Sequence, residues 1–244
     1  METFSIAKLN VRFEAAGDLL YSRTRAYLAP KQDAEADITI DLPESFFEEK
    51  HRQFPTLTVD ECRYVWVGEA FYAGLLRHDG LLMHASCVER AGGAYLFSAK
   101  SGTGKSTHTK LWLQEFSDCK MINDDKPALR RLDGRFYACG TPFSGKNDES
   151  RNVQVPVRAI VFLERGEQNE VTPLAPSAAI PLFLSQTLRP PKTDLMAQML
   201  DLLGDLLEHV PAFRLRCNMD PSAAHIAYQS IENYIQNHEK EDSK

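Results

Sequence analysis

The chain has 244 residues, of which 43% are hydrophobic and 25% charged, and its net charge is −6 at pH 7. That length supports one large domain or two small ones with a substantial core, and the composition excludes disordered and fibrous classes. The acidic balance argues against a nucleic-acid or membrane-surface binder, since both need a basic face.

In chain order, residues 4–13 alternate loosely and read as a strand, and Asp37–Leu42 alternates cleanly and reads as another. Tyr64, Val65, Ala70, Phe71, Leu75 and Leu76 suit a helix between Val59 and Leu76, with Gly80 as its stop. Leu81–Val88 is a strand candidate, and Ala91-Gly92-Gly93 a tight turn. Ala94–Ser98 is a short apolar run, as expected of a strand covered on both faces. A glycine loop and a helix carrying Trp112, Leu113 and Phe116 follow. The run Cys119–Ile122 leads into Asn123-Asp124-Asp125, and 135–139 and 159–163 are further strands. Leu195, Met199, Leu202, Leu203 and Leu206 share one helical face, which packs on the sheet. Residues 213–217 form a late strand, and Asp220-Pro221 starts the last helix, with Asp as cap and Pro in the first turn.

No run reaches the roughly 18–20 apolar residues that span a bilayer. The first residues lack the basic-then-apolar pattern of a signal peptide. Five cysteines are scattered without C-x-x-C spacing, which fits reduced thiols in the cytoplasm, with Cys87 and Cys139 as small buried hydrophobes.

The chemistry concentrates in Ser98-Ala99-Lys100-Ser101-Gly102-Thr103-Gly104-Lys105-Ser106-Thr107. The phosphate-binding pattern is G-x-x-x-x-G-K-[ST]; Gly104-Lys105-Ser106 supplies its end, and Ala99 stands at its first glycine. Gly102 and Gly104 let the backbone turn and approach a phosphate. Amides of residues 102–106 then face phosphate oxygens at a helix N-terminus, Lys105 adds a cation, and the Ser106 hydroxyl completes a magnesium shell. Ser101, Thr103 and Thr107 complete the binding segment. Such a loop needs a carboxylate at a neighbouring strand end, and Asp124 and Asp125 follow the apolar run 121–122. Two adjacent carboxylates repel unless they share a cation or a proton, so one can bind metal while the other accepts a proton. Lys146, on the loop Gly140-Thr141-Pro142-Phe143-Ser144-Gly145-Lys146, can offset charge on a transferring phosphate.

The series His84, Ser101–Ser106, Asp124-Asp125 resembles HPr kinase/phosphorylase and its single-domain relatives, which share a catalytic core with phosphoenolpyruvate carboxykinase. The resemblance covers about residues 75–220 and extends to Gly140–Lys146, Val155-Pro156 and Val210–Leu215. It implies an α/β fold: a mixed β-sheet P-loop core over residues 76–238, a small α+β N-terminal part over 1–75, and a helical C-terminal third. It also implies transfer of phosphate from ATP with Mg2+ to a hydroxyl. Asp124 then serves as general base, Asp125 with Ser106 as metal ligands, and Lys105, His84 and Lys146 as further catalytic residues. The order of the two aspartates stays open. The Glu-x-Arg-Gly-Leu-Gly segment of HPr kinases is absent, and the first eighty residues differ from their N-terminal domain, so HPr itself is not the expected acceptor.

The expected partner is a hydroxyl-bearing small molecule, peptide or protein, with neither nucleic acid nor membrane involved and an oligomer possible. A bidirectional kinase/phosphorylase, and a non-catalytic nucleotide sensor or assembly protein, are the competing readings.

Overall fold

A computed structural model describes residues 1–100 and 102–241. The N-terminal part opens with β1 (Glu2–Ile6) and β2 (Leu9–Phe13), paired antiparallel through Ile6↔Leu9. The single strand expected over 4–13 is thus a hairpin. Its turn residues Ala7 and Lys8 sit at φ 52° and 62°, a left-handed turn without the glycine or asparagine that usually announces it. Helix α1 (Asp18–Thr24) follows, then β3 (Ile38–Thr39), parallel to β2 and shorter than the strand expected over 37–42. Helix α2 (Glu44–Gln53) precedes α3 (Val59–Leu75).

Thr58 caps α3 in a reciprocal box: its hydroxyl accepts from the Glu61 amide, and the Glu61 carboxylate accepts from the Thr58 amide. The helix stops at left-handed Asp79 (φ 53°) rather than at Gly80, which already belongs to β4 (Gly80–Leu82). The strand expected over 81–88 is two strands, β4 and β5 (Ser86–Arg90), which lie in different parts of the sheet. Between them the amides of His84 and Ala85 leave the ladder for the carbonyls of Gln186 and Asp125.

The remaining strands are β6 (Gly93–Ser98), β7 (Lys120–Asn123), β8 (Ala128–Leu132), β9 (Arg135–Cys139), β10 (Gln154–Arg165), β11 (Glu170–Leu174) and β12 (Ala212–Cys217). Helices α4 (Lys105–Glu115), α5 (Pro176–Leu184), α6 (Thr193–His209) and α7 (Ser222–Glu241) complete the order. Among the described residues nine strands form one mixed sheet, ordered β4-β8-β9-β10-β6-β5-β7, with β12 beside β10 and β11 beside β12.

Strand β10 joins the two parts of this sheet. Residues 154–156 pair antiparallel with β9, and beyond a register shift after Val157 the strand runs parallel to β6 on one side and to β12 on the other. Side chains alternate across it as strand geometry requires. Ile160 and Phe162 join Ala94, Leu96 and the apolar stripe of α6 (Met199, Leu202, Leu203, Leu206), while Ala159 and Val161 join Tyr95, Phe97, Trp112 of α4 and Ala227 and Ile231 of α7. Helices therefore cover both faces, which explains the unbroken apolar run of β6. A third cluster joins β1, β2 and α3 to Leu82, Ala128, Cys139 and Phe143, so the N-terminal part shares a core with the β4-β8-β9 end of the sheet. Cys87 and Cys139 are buried as expected, and all five cysteines are free. Among the described residues no helix is long and apolar enough to cross a membrane.

Candidate functional site

Strand β6 ends at Ser98, whose hydroxyl donates to the His84 carbonyl at 2.8 Å. The chain then loops until α4 begins at Lys105, with Gly104 as N-cap. Gly102 and Gly104 take φ 77° and 125°, conformations closed to most side chains, and open space lies where a Cβ would stand at either position. Lys105 is half-buried and its Nζ donates to the Ala99 carbonyl at 3.1 Å; burial lowers its pKa against the opposing pull of Asp125. Ser106 and Thr107 are exposed on the first turn of α4, and Thr103 is half-buried in the loop. Ser101 lies outside the described residues.

Arg165, at the end of β10, donates from Nη2 to the Gly102 carbonyl at 2.6 Å and pins the loop from outside. Clefts of about 570 and 480 Å3 flank this contact and share Gly102, Thr103, Glu164 and Arg165. Both volumes fall in the ~300–1,000 Å3 range of small-ligand sites.

The aspartates sit on a turn built by a buried side chain. The Asn123 Oδ1 accepts from the amides of Asp125 (2.9 Å) and Lys126 (2.7 Å), while its Nδ2 donates to the Thr141 carbonyl (3.0 Å). From α3, the Tyr72 hydroxyl donates to the Lys126 carbonyl and meets Thr141 Oγ1 at 2.9 Å. Asn123→Ala strips a partner from the part-buried amides of Asp125 and Lys126, each costing about 1–3 kcal/mol when left unpaired. The expected result is a loss of about 2–4 kcal/mol in urea unfolding, on the same principle of unpaired buried groups. A loss below about 0.5 kcal/mol would mean that the turn does not depend on this side chain.

The two carboxylates face different surroundings. Asp124 Oδ1 accepts from the Gly145 amide at 2.6 Å, and a Cβ at Gly145 would stand 2.7 Å from Asp124 Oδ2, so the approach needs glycine there. Burial pushes the Asp124 carboxyl above the usual aspartate range; the Gly145 amide opposes this, and the charges of Asp125 and Glu149 add to it. Burial also pushes Asp125 up, but here the His84 hydrogen bond and the charges of His84, Lys126 and Lys105 outweigh it and hold the carboxyl below its usual range. His84 Nε2 lies 3.0 Å from Asp125 Oδ1, and its Nδ1 lies 3.2 Å from Gln186 Oε1, which clamps the ring between the turn and the segment after α5. Lys126 Nζ lies 4.0 Å from Asp125 Oδ2.

The fold thus brings His84, Lys105, Asp124 and Asp125 together. Lys146 is exposed on the loop beside Gly145. His108 faces the core rather than solvent: its Nε2 accepts from Trp112 Nε1 at 3.0 Å, and burial lowers its pKa to about 4. Arg151 and Arg158 are tied to Glu89 (2.7 Å) and Glu232 (3.1 Å).

Sequence reading missed Arg23. Its side chain is only 11% exposed, and its guanidinium donates to Ser144 Oγ (2.6 Å), the Gly145 carbonyl (3.0 Å) and Asp148 Oδ1 (2.8 Å). It fixes the loop whose next contact is Asp124, and no local motif marks a partner 121 residues away. Arg165 and Gln186, whose partners Gly102 and His84 are also distant in sequence, were missed for the same reason.

No curated protein matches the chain. Among solved structures it is similar to the Hpr(Ser) kinase/phosphatase from Coxiella burnetii, at 12% identity and a TM-score of 0.42, over 66% of this chain and 94% of that one. A family model described as SynChlorMet cassette protein ScmC matches residues 58–223. That span takes in α3, the glycine loop, the aspartate turn and β12, and with more than half of its length matched the chain belongs to the ScmC family of SynChlorMet cassette proteins.

Proposed function

We propose that the chain is a phosphotransferase that uses ATP with Mg2+ to phosphorylate a hydroxyl. The observation that carries this reading is the opposed environments of Asp124 and Asp125 beside the loop lysine. Neighbouring carboxyls pushed apart in pKa are suited to different tasks, one exchanging a proton and the other staying anionic.

The residues fit the donor. Open glycine positions, a helix N-terminus and Lys105 converge where phosphates would lie. Among the described residues no group of three or more His, Cys, Asp or Glu could hold a metal by itself. Magnesium needs no such group, because it is held by one or two carboxylates together with substrate phosphates and waters. Asp125 and Ser106 are the protein ligands in this reading. The bound magnesium nucleotide supplies an electrophilic phosphorus and neutralises charge on its oxygens.

The chain's own residues do the rest. Asp124 takes the proton of the acceptor hydroxyl as the hydroxyl oxygen joins the γ-phosphorus and the bond from that phosphorus to the departing ADP breaks. The Gly145 amide orients that carboxylate, and His84 keeps Asp125 ionised. Lys105 offsets the growing charge on the leaving side, and Lys146 is a further cation for the transferring phosphate.

The test is mass spectrometry of a metabolite and peptide extract incubated with protein, ATP and Mg2+. A mass gain of one phosphoryl group on an extract component is expected. Nucleotide turnover at an unchanged rate with no acceptor present, and no phosphorylated product, would favour a nucleotide sensor instead.

A further inference from the structure

Two clefts flank the glycine loop, and in-line phosphoryl transfer distinguishes them, because attacking and leaving oxygens lie on opposite sides of the transferred phosphorus. With the acceptor at Asp124, the nucleoside leaves on the side away from the aspartates. Asp124 follows β7, which lies two strands from β6 across β5, whereas β10 and β12 lie on the other side of β6. The cleft of about 570 Å3 reaches Gln186, whose side chain meets His84, itself bonded to Asp125, so it belongs to the aspartate side. The cleft of about 480 Å3 is lined by residues 163–166 and 217–219, at the ends of β10 and β12. Both strands run parallel to β6, so all three bring their carboxyl ends to this edge of the sheet, which is where open α/β sheets bind ligands.

The lining of this second cleft suits a flat heterocycle. Leu111 of α4 and Leu163 of β10 give it apolar wall, and Met219 stands at it with 76% of its surface exposed. A thioether packs favourably against an aromatic ring. His108 also lines the cleft. Its Nε2 accepts from Trp112 Nε1, a group that can only donate, so the ring proton sits on Nδ1. That N–H is buried and has no acceptor among the described residues. Native structures leave few buried donors unpaired, and each one calls for a partner. A nucleobase answers both features, with flat faces for Met219 and the leucines and ring-nitrogen lone pairs along its edge.

We propose that this cleft seats the nucleobase of the donor nucleotide, with one face of the base against the Met219 side chain and an edge acceptor toward His108 Nδ1. The assignment rests on the phosphotransfer reading, which puts the triphosphate on the loop.

Cys217 reports on the cleft without any turnover. It lines the cleft, and the other four cysteines are buried. Burial raises its thiol pKa, so labelling with N-ethylmaleimide is run at mildly alkaline pH. The whole chain is labelled in Mg2+ alone, with saturating inorganic triphosphate, or with saturating ATP, and modification of Cys217 is followed by mass spectrometry. ATP should slow the labelling at least ~5-fold by closing access to the thiol, and triphosphate, which reaches only the loop, should not. Met219→Ala, at an exposed position, should weaken ATP binding about 3- to 10-fold in calorimetry and leave triphosphate affinity unchanged. If both ligands bind but Cys217 reacts equally fast with either, or Met219→Ala leaves ATP affinity unchanged, the base sits elsewhere; the proposal is then overturned while phosphate binding at the loop stands. If neither ligand binds, the phosphotransfer reading fails and the base site falls with it.

Discussion

Lys105→Ala is expected to lower phosphoryl transfer by about a hundredfold or more while leaving the fold intact. Removing one preorganised group that meets developing charge costs roughly 10²–10³ in rate in other enzymes, and a full positive charge in a half-buried site belongs at the upper end. The structural cost is small. Lys105 gives up one bond to the Ala99 carbonyl at 3.1 Å, worth about 1 kcal/mol, and alanine is favourable in the first turn of α4. The loop itself is set by Gly102 and Gly104 and pinned by Arg165, while the lysine ammonium bonds to the Ala99 carbonyl. Circular dichroism should therefore match wild type while transfer collapses. Activity within threefold of wild type would remove the loop from the mechanism.

The second large effect separates the two aspartates. Asp124→Asn keeps the carbonyl oxygen that accepts from the Gly145 amide, so the turn should survive, but an amide cannot take a proton. Turnover should fall by about 10²–10⁴, with the affinity for magnesium nucleotide nearly unchanged. Asp125→Asn removes an anionic ligand and should raise the magnesium requirement, with rate partly restored at high Mg2+.

The pH profile adds a signed check. The negative charge of Asp125 helps raise the Asp124 carboxyl above its usual range. Neutralising Asp125 should therefore move the acid limb of the residual activity to lower pH. Replacing His84 removes a hydrogen bond and a charge that hold Asp125 down, so the Asp125 carboxyl should then titrate at higher pH. If excess Mg2+ rescues the Asp124 variant and not the Asp125 variant, the two roles are reversed.

Much of this site was legible because its core is local. A strand, a glycine-rich loop and a helix lie within residues 93–115, and the second strand with its acidic end lies within 120–125. What escaped was whatever depended on distant partners. The break at Met83-His84-Ala85 has no turn residue to announce it; it exists because the His84 amide bonds to Gln186, over a hundred positions away. Strand β8 was missed because Arg130 and Arg131 interrupt its apolar pattern, yet Arg130 is nearly buried and donates to the Ala7 carbonyl at 2.7 Å. The short α1, and α5 with Pro181 inside it, carry too weak a helical pattern to stand out. The late strand read over 213–217 is β12, which lies between β10 and β11.

The proposed reaction requires the loop and the aspartate pair together to hold a magnesium nucleotide. Titration calorimetry of the whole chain with ATP, with and without Mg2+, for wild type, Lys105→Ala and Ser106→Ala tests it most directly. One ATP should bind per chain in Mg2+, weakened at least ~10-fold by Lys105→Ala. Ser106→Ala should weaken binding in Mg2+ and have little effect in chelator, because the hydroxyl acts through the metal. No binding heat for wild type, or equal affinity across the three proteins with and without Mg2+, would contradict it.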